Sequence, residues 1–432
     1  MSWNRPRFPR IFYGWYIVIA AFTVATIGNG LQYSFGVFLK PLSQEFDWSR
    51  SLTAGAFMFY MICRAFSGLL MGGLSDKYGP RVIVGIGGLL MGLGMLLGST
   101  ISSAWQLYLF YGLLVGVGMG VGGVPLWATV CRWFVARRGR ALGLMASGAG
   151  VGNVMMSPVA ASFIRHFGLS AAYLIIGAIS LVALSICAFV LRKEPRDLGL
   201  QPYGAHAASE AGNPGPDGLR SQEGADMRIS QALRSRSFWL LAGAGTSFGM
   251  GFFIVMTNIV AHATDLGISG ASAPYLLSII GGSGAIGMMI TGPASDKVGV
   301  RPVLIASFLL QGAMLFWLTE ISSFALFCVA CAIFGFGYGG VIPGFPGIAA
   351  EFFGLRSLGA HLGALTLTWL LGGAMGSELG NLIYDLTRPH SYIPAFWLGG
   401  GMFMAGTLLL LIMGKPCLAE QKDLHGGLEI QT

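Results

Sequence analysis

Few side chains in this sequence can do chemistry, and most of those stand alone among apolar neighbours. Arg64 lies in FMFYMICRAFSGLLMGG, twelve residues before Asp76. At about 1.5 Å per helical residue it sits roughly 18 Å from the Asp76 end, a depth from which snorkelling is difficult. A guanidinium can clamp a carboxylate with two parallel hydrogen bonds. Arg64 is therefore a candidate for holding an anionic substrate or its coupling ion; the alternative is a structural partner, either a helix C-terminal carbonyl or a carboxylate. Glu378, in WLLGGAMGSELGNLIYD with Asn381 one turn on, is a coupling candidate if burial favours its protonated form, and otherwise a solvated rim carboxylate. Asn258 and His262 stand four apart and share one helix face. His262 can serve proton coupling or anion binding, or simply lie at an interface. Asn29, Gln32 and Tyr33 form a polar cluster beside Gly28 and Gly30.

Other chemistries lack their residues. Of the six cysteines, Cys328 and Cys331 form a CxxC, but inside FALFCVACAIFGFGYGG and without a second ligand pair, so both read as small hydrophobes. The glycine strings at 116–123, 148–152 and 335–340 lack the strand and helix start that a nucleotide loop requires. At four-residue spacing, small residues instead let membrane helices approach closely. No Walker loop, His/Glu metal pair or Ser/His/Asp set is present, so neither an ATP-driven pump nor a hydrolase is indicated, and no cofactor is expected.

These residues must be positioned by membrane helices. The chain has 432 residues, is 54% hydrophobic and only 10% charged, and contains 67 glycines. Soluble chains are about a quarter charged, so a water-soluble enzyme is excluded on composition. The net charge of +8 is dispersed in short segments between apolar runs, which argues against a nucleic-acid partner. A hydrocarbon core of about 30 Å takes about 20 helical residues. Twelve such stretches lie near 12–39, 52–73, 82–101, 106–131, 140–163, 170–191, 237–264, 273–294, 302–319, 323–350, 358–384 and 393–413. Buried in lipid, each must satisfy its own backbone, hence an all-α membrane protein.

Of the 26 Lys and Arg, 21 fall on one side of these spans and four (Lys40, Arg50, Arg165, Arg388) on the other, with Arg64 inside. The positive-inside rule then makes both termini cytoplasmic. The basic start at residues 1–15 reads as the approach to a first span, because no small-residue cleavage site follows it. The polar, Gly- and Pro-bearing stretch 192–236 is expected to be a largely disordered cytoplasmic linker, with a short amphipathic helix in ISQALRSRSF. It separates bundles 1–191 and 237–414, followed by a tail at 415–432.

The halves repeat. Gly72, Asp76, Lys77, Gly79 and Arg81 recur as Gly292, Asp296, Lys297, Gly299 and Arg301, displaced by 220 residues. Gly139, Gly143 and Gly152 recur at Gly359, Gly363 and Gly372 with the same displacement, and Trp133-Phe134 is echoed by Phe352-Phe353. Such duplication is typical of alternating-access transporters.

The twice-occurring G-x3-D-K-x-G-x-R pattern resembles the signature loop of the major facilitator superfamily, and this likeness extends over essentially the whole chain. It implies twelve transmembrane helices in two pseudo-symmetric six-helix bundles, with loop charges forming a gating latch of Asp76 and Arg81, and of Asp296 and Arg301, each Asp able to pair with Arg or with a neighbouring helix N-terminus. Helices 1, 4, 7 and 10 line the cavity in that fold. This adds Trp127 and Tyr338 to Asn29, Gln32, Tyr33, Asn258 and His262 as lining residues. The Tyr13-Gly14-Trp15 opening and the WFVARRGRALGLMASGAGVG run are similar to the monocarboxylate transporter family, and EPRDLGLQPYG to its bacterial members and the oxalate–formate antiporters. The animal-type family's helix-8 Asp and Arg would fall on Gly284 and Met288, and its helix-1 Lys on Tyr33; helix 11 also lacks the lysine of the oxalate–formate type. The resemblance thus implies a monomeric inner-membrane transporter that moves a small organic anion, a monocarboxylate, with protons or against a counter-anion. A drug or small-solute exporter of the same fold and a non-transporting membrane sensor are the rival readings.

Overall fold

The computed structural model describes residues 12–48, 50–204, 227–269, 272–387 and 391–413. The 415–432 tail, Cys417, Arg388 and the middle of the 192–236 segment lie outside the described residues. The long helices are α1 (Tyr13–Glu45), α2 (Arg50–Tyr78), α3 (Pro80–Gly98), α4 (Ala104–Trp133), α5 (Arg138–Phe167), α6 (Leu169–Val190), α7 (Arg236–Asp265), α8 (Tyr275–Val298), α9 (Val300–Leu318), α10 (Phe324–Phe353), α11 (Leu358–Leu386) and α12 (Ile393–Ile412). Among the described residues, eleven of these are long and apolar enough to cross a membrane. The remaining one, α5, has 30 residues but carries Arg138 and Arg140 at its start and Arg165 near its end.

Helix pairings fall into two sets. In the first, α1 packs on α5, α3 on α6 and α2 on α4; in the second, α7 packs on α11, α9 on α12 and α8 on α10. The sets meet chiefly along α2–α11 and α5–α8. Every one of these pairings has its counterpart six helices on.

The repeated glycines explain those seams. A Cβ on Gly72 would overlap the Gly359 carbonyl oxygen, and one on Gly292 would overlap that of Gly139. Gly143 meets the Met288 carbonyl in the same way. Thus the two sequence echoes face each other across the set boundary, one echo per partner. Gly72 and Gly292 themselves lie within helices. Helices α2 and α8 continue through them, and the reversals are made by Gly79 (φ 84°) and Gly299 (φ 97°) in the left-handed region. Gly72→Val should therefore wedge α2 from α11. Overpacking of about 1–3 kcal/mol predicts an uptake rate lowered about fivefold or more, with unchanged protein in the membrane; full uptake would contradict it.

Helix α4 is irregular. It runs as a π-helix over Tyr108–Val115, loosens after Met119 and restarts at Val124 with Pro125 in its first turn. Gly118 lies against the Gly87 carbonyl oxygen, where a Cβ would stand 2.7 Å away, so the turn before the loosened stretch packs tightly on α3.

Both described ends of the 192–236 segment are held against the helices. Tyr203 N–H donates to the Trp133 carbonyl (2.9 Å), and its own carbonyl accepts from Val135 and Ala136 N–H. The Tyr203 ring sits 5.3 Å from Phe12 and 5.6 Å from Phe134, with the Arg137 guanidinium over it. Burying these aromatic rings together offsets the ordering cost that composition alone suggested would prevail. At the other end, Met227 N–H donates to the Phe353 carbonyl (3.2 Å), and a four-residue helix, Ile229–Ala232, precedes α7.

Candidate functional site

Arg64 stands on α2 where the two sets converge. It is half-buried, and its guanidinium donates to Gln32 Oε1 on α1, which also accepts from the Tyr60 hydroxyl at 3.4 Å. Among the described residues no carboxylate pairs with it. Tyr33 and Tyr60 from the first set and Tyr338 on α10 of the second all lie within electrostatic reach of the guanidinium. Tyr33 is 43% exposed, whereas Tyr60 is fully buried. Behind Arg64, Tyr60 stacks on Tyr111 (5.1 Å), which stacks on Phe35 (4.4 Å) and lies in the π-helical part of α4. This aromatic stack fixes the α2 face that carries the cation. A charge held in a low-dielectric interior without a counter-charge is costly. Such a group is chemically suited to receive an anion.

Beyond Tyr338 lies an apolar chamber. Tyr338 stacks on Phe252 (4.6 Å) and packs, with Trp127 and Trp369, around buried Ala146, Met288 and Ile342. The chamber is a small space of about 20 Å³ between Trp127 of α4 and residues of α7, α10 and α11.

The other candidates are dispersed. Asn29 is half-buried and donates to the Ala25 carbonyl (2.9 Å). Asn258 is buried, bonds to Ile254 and Thr257, and abuts Gly380 on α11. His262 is 4% exposed within rings of Phe327, Tyr392 and Phe396. Neither is brought to Arg64 by any contact. Glu378 is exposed toward the far end of α11.

At the opposite end, both loop carboxylates bond to backbone N–H groups of the other set. Asp76 accepts from Gly359 N–H (3.2 Å) and Ala360 N–H (3.0 Å), the first turn of α11. Asp296 accepts from Gly139 N–H (2.6 Å) and Arg140 N–H (2.9 Å), the first turn of α5. Each anion thus sits at a helix N-terminus of the other set, where the dipole and free N–H groups favour it. Arg81 and Arg301 are not brought to these carboxylates, a correction to the expected pairing. Arg81 lies over the Phe189 ring of α6, and Arg301 donates to the Leu410 and Leu411 carbonyls ending α12. Both follow the residue before them around the sharp Gly79 and Gly299 turns, which carries them to the outer helices of their own sets. The ion pair is made instead by Arg132 of α4, 2.5 Å from Asp76 and also bonded to the Leu355 carbonyl between α10 and α11.

The sequence profile of the Major Facilitator Superfamily matches residues 17–292 and 241–426. The chain belongs to the major facilitator superfamily. This multi-pass membrane transporter resembles Monocarboxylate transporter 13 of Bos taurus, 29% identical over 93% of this chain and 89% of that one. It also resembles the oxalate:formate antiporter of Oxalobacter formigenes, 25% identical over 95% of this chain and 96% of that one. Among solved structures, the proton:xylose symporter XylE matches with a TM-score of 0.70 at 15% identity, over 93% of this chain and 96% of that chain. The E. coli fucose:proton symporter FucP matches with a TM-score of 0.68 at 14% identity, over 93% of this chain and 99% of that chain.

Sequence reasoning missed three residues of this major facilitator protein that the geometry brings forward. Tyr60 precedes Arg64 by one helical turn, a spacing that places both on one face. Arg132 carried a weaker signal: it counted only as one more basic residue at a helix end. Trp369 had none, because a tryptophan in an apolar run looks like core.

Proposed function

We propose that this chain is a secondary active transporter of a small organic anion, a monocarboxylate, moved with protons or in exchange for another anion. One observation carries the reading: Arg64 is a half-buried cation between both helix sets with no carboxylate partner among the described residues. The likeness to a monocarboxylate transporter and to an oxalate:formate antiporter supports the same cargo. In this reading residues 1–191 and 237–414 are two six-helix bodies that rock about Arg64, and Gln32, Tyr33, Tyr60 and Tyr338 complete the anion site. Both termini face the cytoplasm, as the Lys and Arg distribution argues, and the protein sits in the inner membrane. The caps at Asp76 and Asp296 then hold the cytoplasmic end shut, and Tyr33 faces outward. Rocking breaks these caps and opens the cytoplasmic side. Asn258 and His262 remain lining candidates only for a state in which α7 has turned, and Glu378 a coupling candidate at the external rim.

Proteoliposome counterflow tests the reading. Vesicles loaded with unlabelled carboxylate should accumulate radiolabelled carboxylate transiently, as a transporter requires. Saturable binding without accumulation would favour a sensor. Accumulation of neutral or cationic solutes, with carboxylates inert, would favour a drug or solute exporter.

A further inference from the structure

The chain that leaves α6 ends against the loop that opens α5. After the short turn Pro195–Leu198 it reaches Tyr203, whose N–H donates to the Trp133 carbonyl. The Tyr203 carbonyl in turn accepts from Val135 N–H (3.2 Å) and Ala136 N–H (3.0 Å). These bonds pin the stretch between the last residue of α4 and Arg137. Arg137 has φ 59°, a left-handed conformation that a residue other than glycine holds only where its surroundings impose it. Its guanidinium carbon lies over the Tyr203 ring, 5.7 Å from the ring centre, a favourable placement for a cation. Gly204 (φ 83°) lies so close that an added Cβ would overlap the Ala136 Cβ. Directly beyond Arg137 stand Gly139 and Arg140, whose N–H groups hold Asp296. The loop that Tyr203 pins is thus the one that aims the α5 N-terminus across the boundary between sets.

The two caps differ in what else supports them. Asp76 has the Arg132 guanidinium in addition to two N–H groups, whereas among the described residues no cation pairs with Asp296. At the equivalent place in the second set, Met227 N–H meets the Phe353 carbonyl, but the cap there keeps Arg132 as well. An anion held by N–H groups alone depends on where the turn that carries them is placed. We propose that Tyr203 is a positioning residue for the gate: docked on residues 133–137, it sets the α5 N-terminus for Asp296 and so helps hold this end of the molecule shut. The proposal rests on the caps closing that end, not on the cargo, so a failure of carboxylate counterflow bears on the cargo alone.

A double-mutant cycle in the detergent-solubilised full chain tests it. The readout is the rate at which a maleimide alkylates Cys131, with the other cysteines replaced. Tyr203→Ala withdraws the ring from Phe12, Phe134 and Arg137 and should accelerate alkylation about threefold to tenfold. Gly204→Val undocks the same residue through Ala136 and should do likewise, so a failure of one variant to fold leaves the other to decide. Tyr203→Phe keeps the ring and should react at the native rate. In an Asp296→Ala background, Tyr203→Ala should add less than about twofold, because the cap it positions is already gone. In an Asp76→Asn background the full increment should persist, because that cap belongs to the other seam. Equal increments in the two backgrounds would overturn the proposal, since a ring that merely stabilised the first set, or shielded Cys131 locally, acts alike in both. No acceleration by either Tyr203→Ala or Gly204→Val would overturn it as well.

Discussion

Replacing Arg64 by alanine is expected to abolish carboxylate uptake, by about 30-fold to 3,000-fold, without weakening the fold. Truncating one partner of a desolvated, hydrogen-bonded charge pair costs about 2–5 kcal/mol, and each 1.4 kcal/mol is about tenfold. In the free protein, however, no carboxylate among the described residues answers this charge, so its removal relieves an unfavourable burial. The melting temperature of Arg64→Ala should therefore equal or exceed that of the native chain. It should also lose the stabilisation that added carboxylate gives to the native protein. Arg64→Lys keeps the charge but not the planar fork, and uptake should fall by about tenfold. A fall in melting temperature together with retained uptake would mean that the arginine supports structure and not cargo.

Asp76→Asn is expected to open the end of the molecule that the caps hold shut. The carboxylate satisfies two N–H groups of α11 and the Arg132 guanidinium, and Arg132 is only 5% exposed. Its neutralisation leaves a buried cation unpaired, a change that costs about 3–5 kcal/mol. Asp296 lacks such a partner: the last turn of α10 carries Glu351 and no arginine. Asp296→Asn forfeits charge-assisted bonds alone, about 1.5–3 kcal/mol. The native Cys131 reports the difference, because its sulfur is buried 3.8 Å from the Pro346 carbonyl across the boundary between sets. With the other cysteines replaced, its alkylation by an impermeant maleimide should accelerate about 100-fold or more in Asp76→Asn. In Asp296→Asn the acceleration should be at least tenfold smaller. Equal rates in the two variants would show that Arg132 adds nothing to closure.

The distribution of apolar residues sufficed to specify the membrane helices and their approximate bounds, because lipid forces each span to satisfy its own backbone and leaves no other element available. Duplication of Gly72, Asp76, Gly139 and their counterparts showed that the chain has two related halves. Arg64 was legible for a similar reason, since a lone charge in an apolar run has few explanations. What the one-dimensional pattern could not supply was the partner of each group. Asp76 meets Gly359, Ala360 and Arg132, all distant in the chain, while the nearby Arg81 is carried off to α6 by the Gly79 turn. Asn258 and His262 looked polar enough to line a cavity, yet helix rotation turns them into the packing of α7 against its neighbours. The docking of Tyr203 likewise depends on Phe12 and Phe134 arriving from separate helices. Side-chain type and spacing set what each residue can do; which groups it reaches depends on helix rotation and on contacts between segments hundreds of residues apart, and those exist only once the two sets have packed.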